Sequence, residues 1–165
     1  SSANPWTSKP PQEVEIDSIL KSHLQQSTLL RNMEVDFDLN APEALVMIKV
    51  AQFQHILRHL VNNAARAMKE LEKKRIFVST QLARNKNTVE ILFQDFGPGI
   101  SEEKHTSAFR RRFTTKETGG YWMFFIRLMV EDMQGEIMLM PYQKGKGATF
   151  SIRLPIANST IDPGD

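Results

Sequence analysis

The apolar positions of residues 50–71 recur with a helical period and give the clearest structural prediction in the chain. Steps of three and four residues place one face of this helix at Val50, Phe53, Leu57, Leu60, Ala64, Met68 and Leu71. Residues 13–31 show a partial period of the same kind. Residues 119–133 predict another helix, which ends near Gly135. The pattern therefore predicts about three helices.

Alternation of apolar and charged positions predicts strands between these helices. In residues 33–39, MEVDFDL, the apolar side chains occupy every second position, as in a half-buried strand. Residues 45–49 are a candidate brief strand, and further strands are predicted at 75–83, 88–95, 135–143 and 148–155. About five strands that cluster as hairpins, with helices to cover one face, indicate an α+β fold of the two-layer sandwich type.

Composition narrows the class of protein. A length of 165 residues fits one domain, which we expect to span residues 13–156 between flexible tails at 1–12 and 157–165. The chain has no cysteine, which excludes disulfides, thiolate zinc sites and a cysteine nucleophile. A net charge of +2 is too small to indicate a nucleic-acid or membrane partner. No apolar run has the length of a membrane span, so we expect a cytoplasmic domain without membrane contact.

Polar side chains form a stripe beside the apolar face of the 50–71 helix. Steps of four, four, three and four residues align His55, His59, Asn63, Arg66 and Glu70. An asparagine carbonyl is a suitable ligand for Mg²⁺, which prefers oxygen, and an arginine one turn along could pair with phosphate oxygens. The alternative is an ordinary solvated helix face.

A second candidate site lies in DFGPGI, residues 95–100, directly after a predicted strand. The carboxylate of Asp95 could accept a hydrogen bond from an exocyclic amine such as that of adenine. Gly97 and Gly99 would let the backbone approach a ring closely. The alternative is a tight turn that begins with aspartate.

Four motifs in order carry a resemblance to a known family. N-N-A-x-x-A at 62–67 is followed by D-x-G-x-G-I at 95–100, F-T-T-K at 113–116 and the ending GKGATFSIRLP at 145–155. This series resembles the ATP-binding catalytic domain of sensor histidine kinases, a member of the ATPase superfamily shared with gyrase, MutL and the Hsp-type chaperones. The resemblance runs from about Val14 to Pro155 and implies a mixed, mainly antiparallel sheet.

The resemblance implies roles for the residues of the two candidate sites. Asn63 matches the asparagine that binds the Mg²⁺ bridging the ATP phosphates, and Arg66 matches a basic phosphate contact. Asp95 matches the carboxylate that reads the adenine amine, with Gly97 and Gly99 beneath the base.

The same resemblance implies an ATP lid and partner domains. Thr114, Thr115 and Lys116 match the segment beside the mobile lid. Of the family's second glycine box Gly119 remains, and Gly120 gives the backbone some additional freedom. The implied cofactors are ATP and Mg²⁺. The implied partners are a dimerisation domain of the parent kinase, which carries the phosphoacceptor histidine, and a response regulator.

One departure from the family is His59, which stands where kinases usually carry asparagine and related ATPases a catalytic glutamate. A histidine could accept a proton or orient water, because it titrates near neutrality, or it could simply fill space. We take His59 and Asn63 as the candidate catalytic pair. Because no glutamate occupies the base position, an independent ATPase of the gyrase or MutL kind is disfavoured.

The larger departure is the second glycine box, where the family pattern is roughly G-x-G-L-G-L-S and this chain has GGYWMFFIR. Tyr121 and Met123 replace two glycines that let backbone N–H groups approach the triphosphate. The sequence is compatible with an active kinase domain and with a degenerate domain that acts by protein contacts. Phe125 and Ile126 are expected in the core, whereas Trp122 could be buried or part of a partner surface.

Overall fold

The computed structural model describes residues 9–99, 122–141, 143 and 147–157. Three helices and seven strands occur in these ranges. In chain order they are β1 (Gln12–Glu15), α1 (Ile16–Leu30), β2 (Met33–Asn40), β3 (Leu45–Ile48), α2 (Val50–Ala67), β4 (Lys74–Leu82), β5 (Thr88–Gln94), α3 (Trp122–Asp132), β6 (Glu136–Leu139) and β7 (Thr149–Pro155).

Five of the strands form the main sheet in the order β2-β4-β5-β7-β6. The β2 and β4 strands are parallel, and every other neighbouring pair in this sheet is antiparallel. The β1 and β3 strands make a separate antiparallel pair. The mixed, mainly antiparallel sheet with three helices confirms the predicted α+β two-layer sandwich.

The hydrophobic core lies between the main sheet and the helices. Because strand side chains alternate between faces, every second residue of β4, β5 and β7 points inward. These buried residues are Ile76 and Val78, Val89, Ile91 and Phe93, and Phe150, Ile152 and Leu154. No helix in the described ranges is long and apolar enough to cross a membrane.

The predicted helix over 13–31 begins later than expected. Residues Gln12–Glu15 form β1, whose register pairs Gln12 with Ile48, and the helix starts at Ile16. The Ile16 N–H donates to the carbonyl of Ala44 at 3.1 Å. The strand was missed because its four residues, QEVE, are too few and too polar to show a two-residue period.

The predicted helix over 50–71 ends earlier, at Ala67. Beyond it the Lys69 N–H bonds to the carbonyl of Arg66 and the Leu71 N–H to that of Met68, both tight three-residue turns. Met68 is fully buried, but Leu71 is exposed. Glu70 therefore lies outside the helix and does not continue the polar stripe.

The α3 helix corrects one expectation about the aromatic cluster. Its buried side chains are Trp122, Met123, Ile126, Met129 and Val130. Phe125 was expected in the core, but it is 50% exposed. The reason is helical geometry, since residues 122, 126 and 129 lie on one face and Phe125 and Leu128 lie beside it.

Candidate functional site

Asp95 is a buried carboxylate held by backbone N–H groups. It follows β5 directly and is 2% exposed. Its Oδ1 accepts a hydrogen bond from the Gly97 N–H at 2.9 Å and from the Ala148 N–H at 3.2 Å. Burial raises the pKa of this carboxyl, and the two N–H donors act in the opposite direction. The two bonds fix the carboxylate, and both of them end on one oxygen.

Gly147 makes room for this carboxylate. A Cβ at Gly147 would lie 2.2 Å from the Asp95 carbonyl oxygen and 2.5 Å from Oδ1. Both distances are far below van der Waals contact, so any larger residue would displace Asp95. Ala148 also pairs with Asp95 through the backbone, since its carbonyl accepts the Asp95 N–H at 3.0 Å. The two residues directly before β7 therefore form one wall of the Asp95 site.

Sequence reasoning gave neither Gly147 nor Ala148 a role at the site. The available signal was the family-like ending GKGATFSIRLP, in which a glycine directly precedes a strand. Their contact with Asp95 depends on the pairing of β5 with β7, which begins at Gln94 opposite Thr149. The sequence pattern predicts both strands but not their register.

The turn after Asp95 packs against the end of α2. A Cβ at Gly97 would lie 2.9 Å from the carbonyl oxygen of Ala67 and 3.0 Å from its Cβ. The Phe96 N–H also points to the sulfur of Met68, at 3.4 Å. Gly99 has a φ of 82°, a left-handed conformation that favours glycine. The need for glycine at Gly97 therefore includes close helix packing, which sequence reasoning did not foresee.

This packing brings the Asp95 turn to the same region as the predicted polar stripe. Asn63 lies four residues before Ala67, or about 6 Å along the helix axis. Asn63 is partly buried and Arg66 is exposed. The structure thus joins the two candidate sites at the C-terminal half of α2, with Asp95 beside its end and Asn63 one turn earlier.

His59 lies one turn before Asn63 and is paired with His55. The two Nε2 atoms are 2.8 Å apart, and the ring centroids are 4.3 Å apart in an edge-to-face arrangement. Burial lowers the pKa of His59, and the charges of Arg58 and Arg66 lower it further. Burial also lowers the pKa of His55, together with His59 and Arg58. Both shifts of pKa favour the neutral form of the rings.

A groove runs between α2 and α3 beside this histidine pair. Its volume is about 530 Å³. One wall carries Gln52 and the two histidines, and the other carries Trp122, Phe125, Leu128, Met129 and Asp132. Two polar atoms of its lining residues, the Trp122 Nε1 and the Gln52 Oε1, are buried and have no hydrogen-bond partner among the residues that the structure describes.

The predicted lid residues lie outside the described ranges. These are Thr114, Thr115, Lys116, Gly119 and Gly120, together with Tyr121 of the altered glycine box. Met123, the other residue in place of a glycine, is described. It is fully buried in the first turn of α3 and belongs to the core. The Met123 side chain therefore fills space in the hydrophobic core.

A known protein family matches the part of the chain that contains these candidate site residues. The model of the histidine kinase-, DNA gyrase B- and HSP90-like ATPases matches residues 48–158, which include α2, Asp95 and β7. The chain belongs to this ATPase family. The match confirms the resemblance that the four motifs indicated.

Curated relatives of this ATPase domain include a sensor protein and a sensor histidine kinase, ZraS of Escherichia coli. The sensor protein FixL of Bradyrhizobium diazoefficiens is 30% identical over 129 residues, which are 78% of this chain and 25% of FixL. The chain thus spans about a quarter of the length of this curated relative.

Solved structures share the fold. The mycobacterial sensor histidine kinase MprB matches with a TM-score of 0.74 at 18% identity, covering 88% of this chain and 97% of that one. The nucleotide-free catalytic domain of histidine kinase ThkA matches with a TM-score of 0.73 at 22% identity, covering 90% and 99%. The chain thus shares the fold of these two histidine kinase structures.

Proposed function

We propose that this domain binds Mg-ATP and, within its parent protein, transfers the γ-phosphoryl group to a histidine on a separate dimerisation domain. The observation that carries the proposal is the Asp95 site, a fixed and buried carboxylate whose surroundings require glycine at two positions. The family supports ATP as the nucleotide. The shared chemistry of the family's sensor kinases supports phosphoryl transfer.

The arrangement around Asp95 supports adenine as the base that we assign to this half of the site. Asp95 Oδ1 is held by two N–H groups, and this leaves Oδ2 without a donor among the described residues. A carboxylate oxygen is an acceptor, so it can take the N–H of the adenine amine. Gly97 and Gly99 keep the turn compact beneath the position that we assign to the base. The recognition is directional because Asp95 cannot rotate without losing its backbone partners.

The half of the proposed site that would hold the phosphates consists of residues of α2 and of the predicted lid. We assign the Asn63 side-chain oxygen to Mg²⁺, since this ion takes oxygen ligands and completes its shell with water and phosphate. Arg66, one turn along, would contact phosphate oxygens. Thr114, Thr115, Lys116, Gly119 and Gly120 would close over the phosphates, as the family resemblance implies. In such reactions, positioning and charge neutralisation supply most of the catalysis.

His59 is the residue that we assign beside the reacting phosphate. A neutral imidazole can accept a proton or orient a polar group, and the lowered pKa of His59 favours its neutral form. Its contact with His55 fixes the orientation of the ring. His59 therefore differs from the usual asparagine in being able to take up a proton.

The degenerate alternative is less well supported by the described residues. It depends on bulky side chains that obstruct the backbone near the triphosphate. Met123, one of these, is fully buried and belongs to the hydrophobic core. The similarity to sensor proteins and sensor histidine kinases also favours an active kinase domain over a degenerate one.

Two partners follow from the same proposal. The acceptor histidine would belong to another part of the parent, since the matched region is only 25% of the length of a relative such as FixL. The structure of ThkA in complex with the response regulator protein TrrA shows such an assembly for a protein with this fold. We propose a response regulator as the partner of the parent protein, and a cytoplasmic location for this domain.

Calorimetric titration and thermal unfolding with Mg-ATP and Mg-ADP test the proposal. Ligand at 100 times its Kd should add about 2.7 kcal/mol to the free energy of unfolding. Asn63→Ala should remove the Mg²⁺ dependence of binding, and Asp95→Asn should weaken binding with or without Mg²⁺. Asp36→Asn, which removes a surface carboxylate 3.4 Å from Arg75, is the matched control and should bind normally. No stabilisation of the wild type at millimolar nucleotide would overturn the proposal.

A further inference from the structure

The histidine pair on α2 has the arrangement of a metal chelate. His55 and His59 are four residues apart, so both rings leave the same face of the helix on consecutive turns. Their Nε2 atoms converge to 2.8 Å. Two histidines at this helical spacing hold zinc in the H-E-x-x-H motif of metalloproteases, which shows that the spacing suits one ion.

We propose that His55 and His59 together form a binding site for a late first-row transition ion such as Zn²⁺, Ni²⁺ or Cu²⁺. Imidazole nitrogen suits these ions, whereas Mg²⁺ prefers oxygen ligands. The site is therefore chemically distinct from the Asn63 position, one turn further along α2. The inference does not depend on nucleotide binding, because both ligands come from a single helix.

The geometry needs only a small adjustment. Zinc binds imidazole nitrogen at about 2.0–2.1 Å, so two nitrogens on a tetrahedral ion lie about 3.3 Å apart. The present separation of 2.8 Å reflects a hydrogen bond, in which one Nε2 carries a proton and the other accepts it. An ion would replace that proton after a half-ångström opening of the two rings and a change of tautomer.

The surroundings leave space for the remaining ligands. The pair lines the groove between α2 and α3, which has a volume of about 530 Å³. Asp132 lines the same groove, but its Oδ2 accepts a bond from the Gln52 Nε2 at 3.2 Å and lies 3.8 Å from the Lys49 Nζ. No cluster of three histidine, cysteine or acidic ligands occurs among the described residues. Among the described residues the two imidazoles are thus the protein ligands, and water completes the shell.

Arg58 should weaken the binding of a cation by the histidine pair, and its removal therefore tests the proposed site. A guanidinium nitrogen lies 3.5 Å from the Nδ1 of His55, and the arginine charge lowers the pKa of both rings. An arginine can only donate, so this contact favours the tautomer that carries its proton on Nε2, the atom required by the ion. Removing Arg58 relieves both the charge repulsion and the tautomer preference. Loss of Arg58 should therefore tighten ion binding.

Calorimetric titration of the full chain, without a polyhistidine tag, with ZnCl₂ in chelator-treated buffer tests the site. We expect saturable binding of one ion, weakened at least tenfold in both His55→Ala and His59→Ala, and tightened several-fold in Arg58→Ala. His23→Ala and His105→Ala are the matched controls and should bind as the wild type does. Millimolar Mg²⁺ should not displace the zinc.

A spectroscopic measurement keeps the test independent of folding defects. Cu²⁺ bound to the wild type should show nitrogen hyperfine coupling from two imidazoles, and His55→Gln should show coupling from one. Circular dichroism and the unfolding midpoint establish that each variant is folded. No saturable zinc binding by the wild type, undiminished binding in both alanine variants, or unchanged binding in Arg58→Ala would each count against the site.

Discussion

The two ends of the proposed nucleotide site are built in different ways. At one end Asp95 is buried, is fixed by backbone donors and is surrounded by positions where only glycine fits. At the other end His59 and the start of α3 border an open groove with an exposed aromatic ring. Backbone contacts leave little freedom for substitution, whereas side chains on a groove wall can change without disturbing the fold. The base-recognition end should therefore tolerate fewer changes than the phosphate end.

The largest effect is expected at Gly147. Gly147→Ala places a Cβ 2.2 Å from the Asp95 carbonyl oxygen, so the backbone must move. We expect a loss of about 3 kcal/mol in the free energy of unfolding and loss of nucleotide binding. Urea unfolding and calorimetry measure the two effects.

Gly135→Ala is the matched control for this change. Its Cβ would lie 2.6 Å from the Arg153 carbonyl oxygen, away from Asp95, so it should lower stability in a similar way. Nucleotide affinity of the folded protein should stay unchanged. Equal loss of binding in both variants would mean that Gly147 acts only through stability.

The next effect compares two neighbouring residues of α3. Ile126→Ala should cost about 2.5 kcal/mol, because the side chain is fully buried and its removal leaves a cavity. Phe125→Ser should cost less than about 0.5 kcal/mol, because the ring is half exposed. Urea unfolding of both variants measures the two losses in the free energy of unfolding. A large loss in Phe125→Ser would show that this ring is part of the core after all.

The smallest effect is a pH dependence of stability. Burial and neighbouring arginines lower the pKa of His55 and His59, so the folded state binds fewer protons than the unfolded state. Stability should therefore decline as the pH falls below about 6.5, the ordinary imidazole value, towards the lowered pKa values.

A double variant isolates this contribution. In His55→Gln/His59→Gln the decline between pH 7.5 and 5.5 should become shallower, with the remainder due to His23, whose pKa is lowered mainly by burial. Asp95 acts in the opposite sense, because its raised pKa favours the folded state as pH falls. Urea unfolding across this range measures the slopes. An unchanged slope in the double variant would contradict the assignment to this pair.

The sequence predicted the elements of the fold well where periodicity was long. The α2 helix shows a regular three-four period, and its core face was confirmed from Phe53 to Met68. Its end was not predicted, because Lys69, Glu70 and Leu71 are good helix formers. In the structure the Asp95 turn packs against Ala67 and Met68, where the helix ends. The β1 strand was missed for the opposite reason, since it is short and is defined by its partner β3.

The candidate site was predicted in part. The motif pattern placed Asn63 and Asp95, and the structure brings their segments together at the end of α2. The roles of Gly147 and Ala148 required the register of β5 against β7. Helical spacing predicted that His55 and His59 share one side of the helix, but their lowered pKa values depend on burial and on Arg58. Local spacing is readable in a sequence, whereas burial and strand register belong to the tertiary structure.

Discrimination between ATP and inosine triphosphate tests the role of Asp95 most directly. Inosine carries a carbonyl at the position of the adenine amine, so a carboxylate acceptor would face another acceptor and lose its hydrogen bond. A bond to a charged group contributes about 1.5–3 kcal/mol, so the wild type should prefer ATP by about tenfold to a hundredfold. Asp95→Asn, whose amide can donate, should lose or reverse this preference. Equal affinity of the wild type for both nucleotides, or an unchanged preference in Asp95→Asn, would contradict the account.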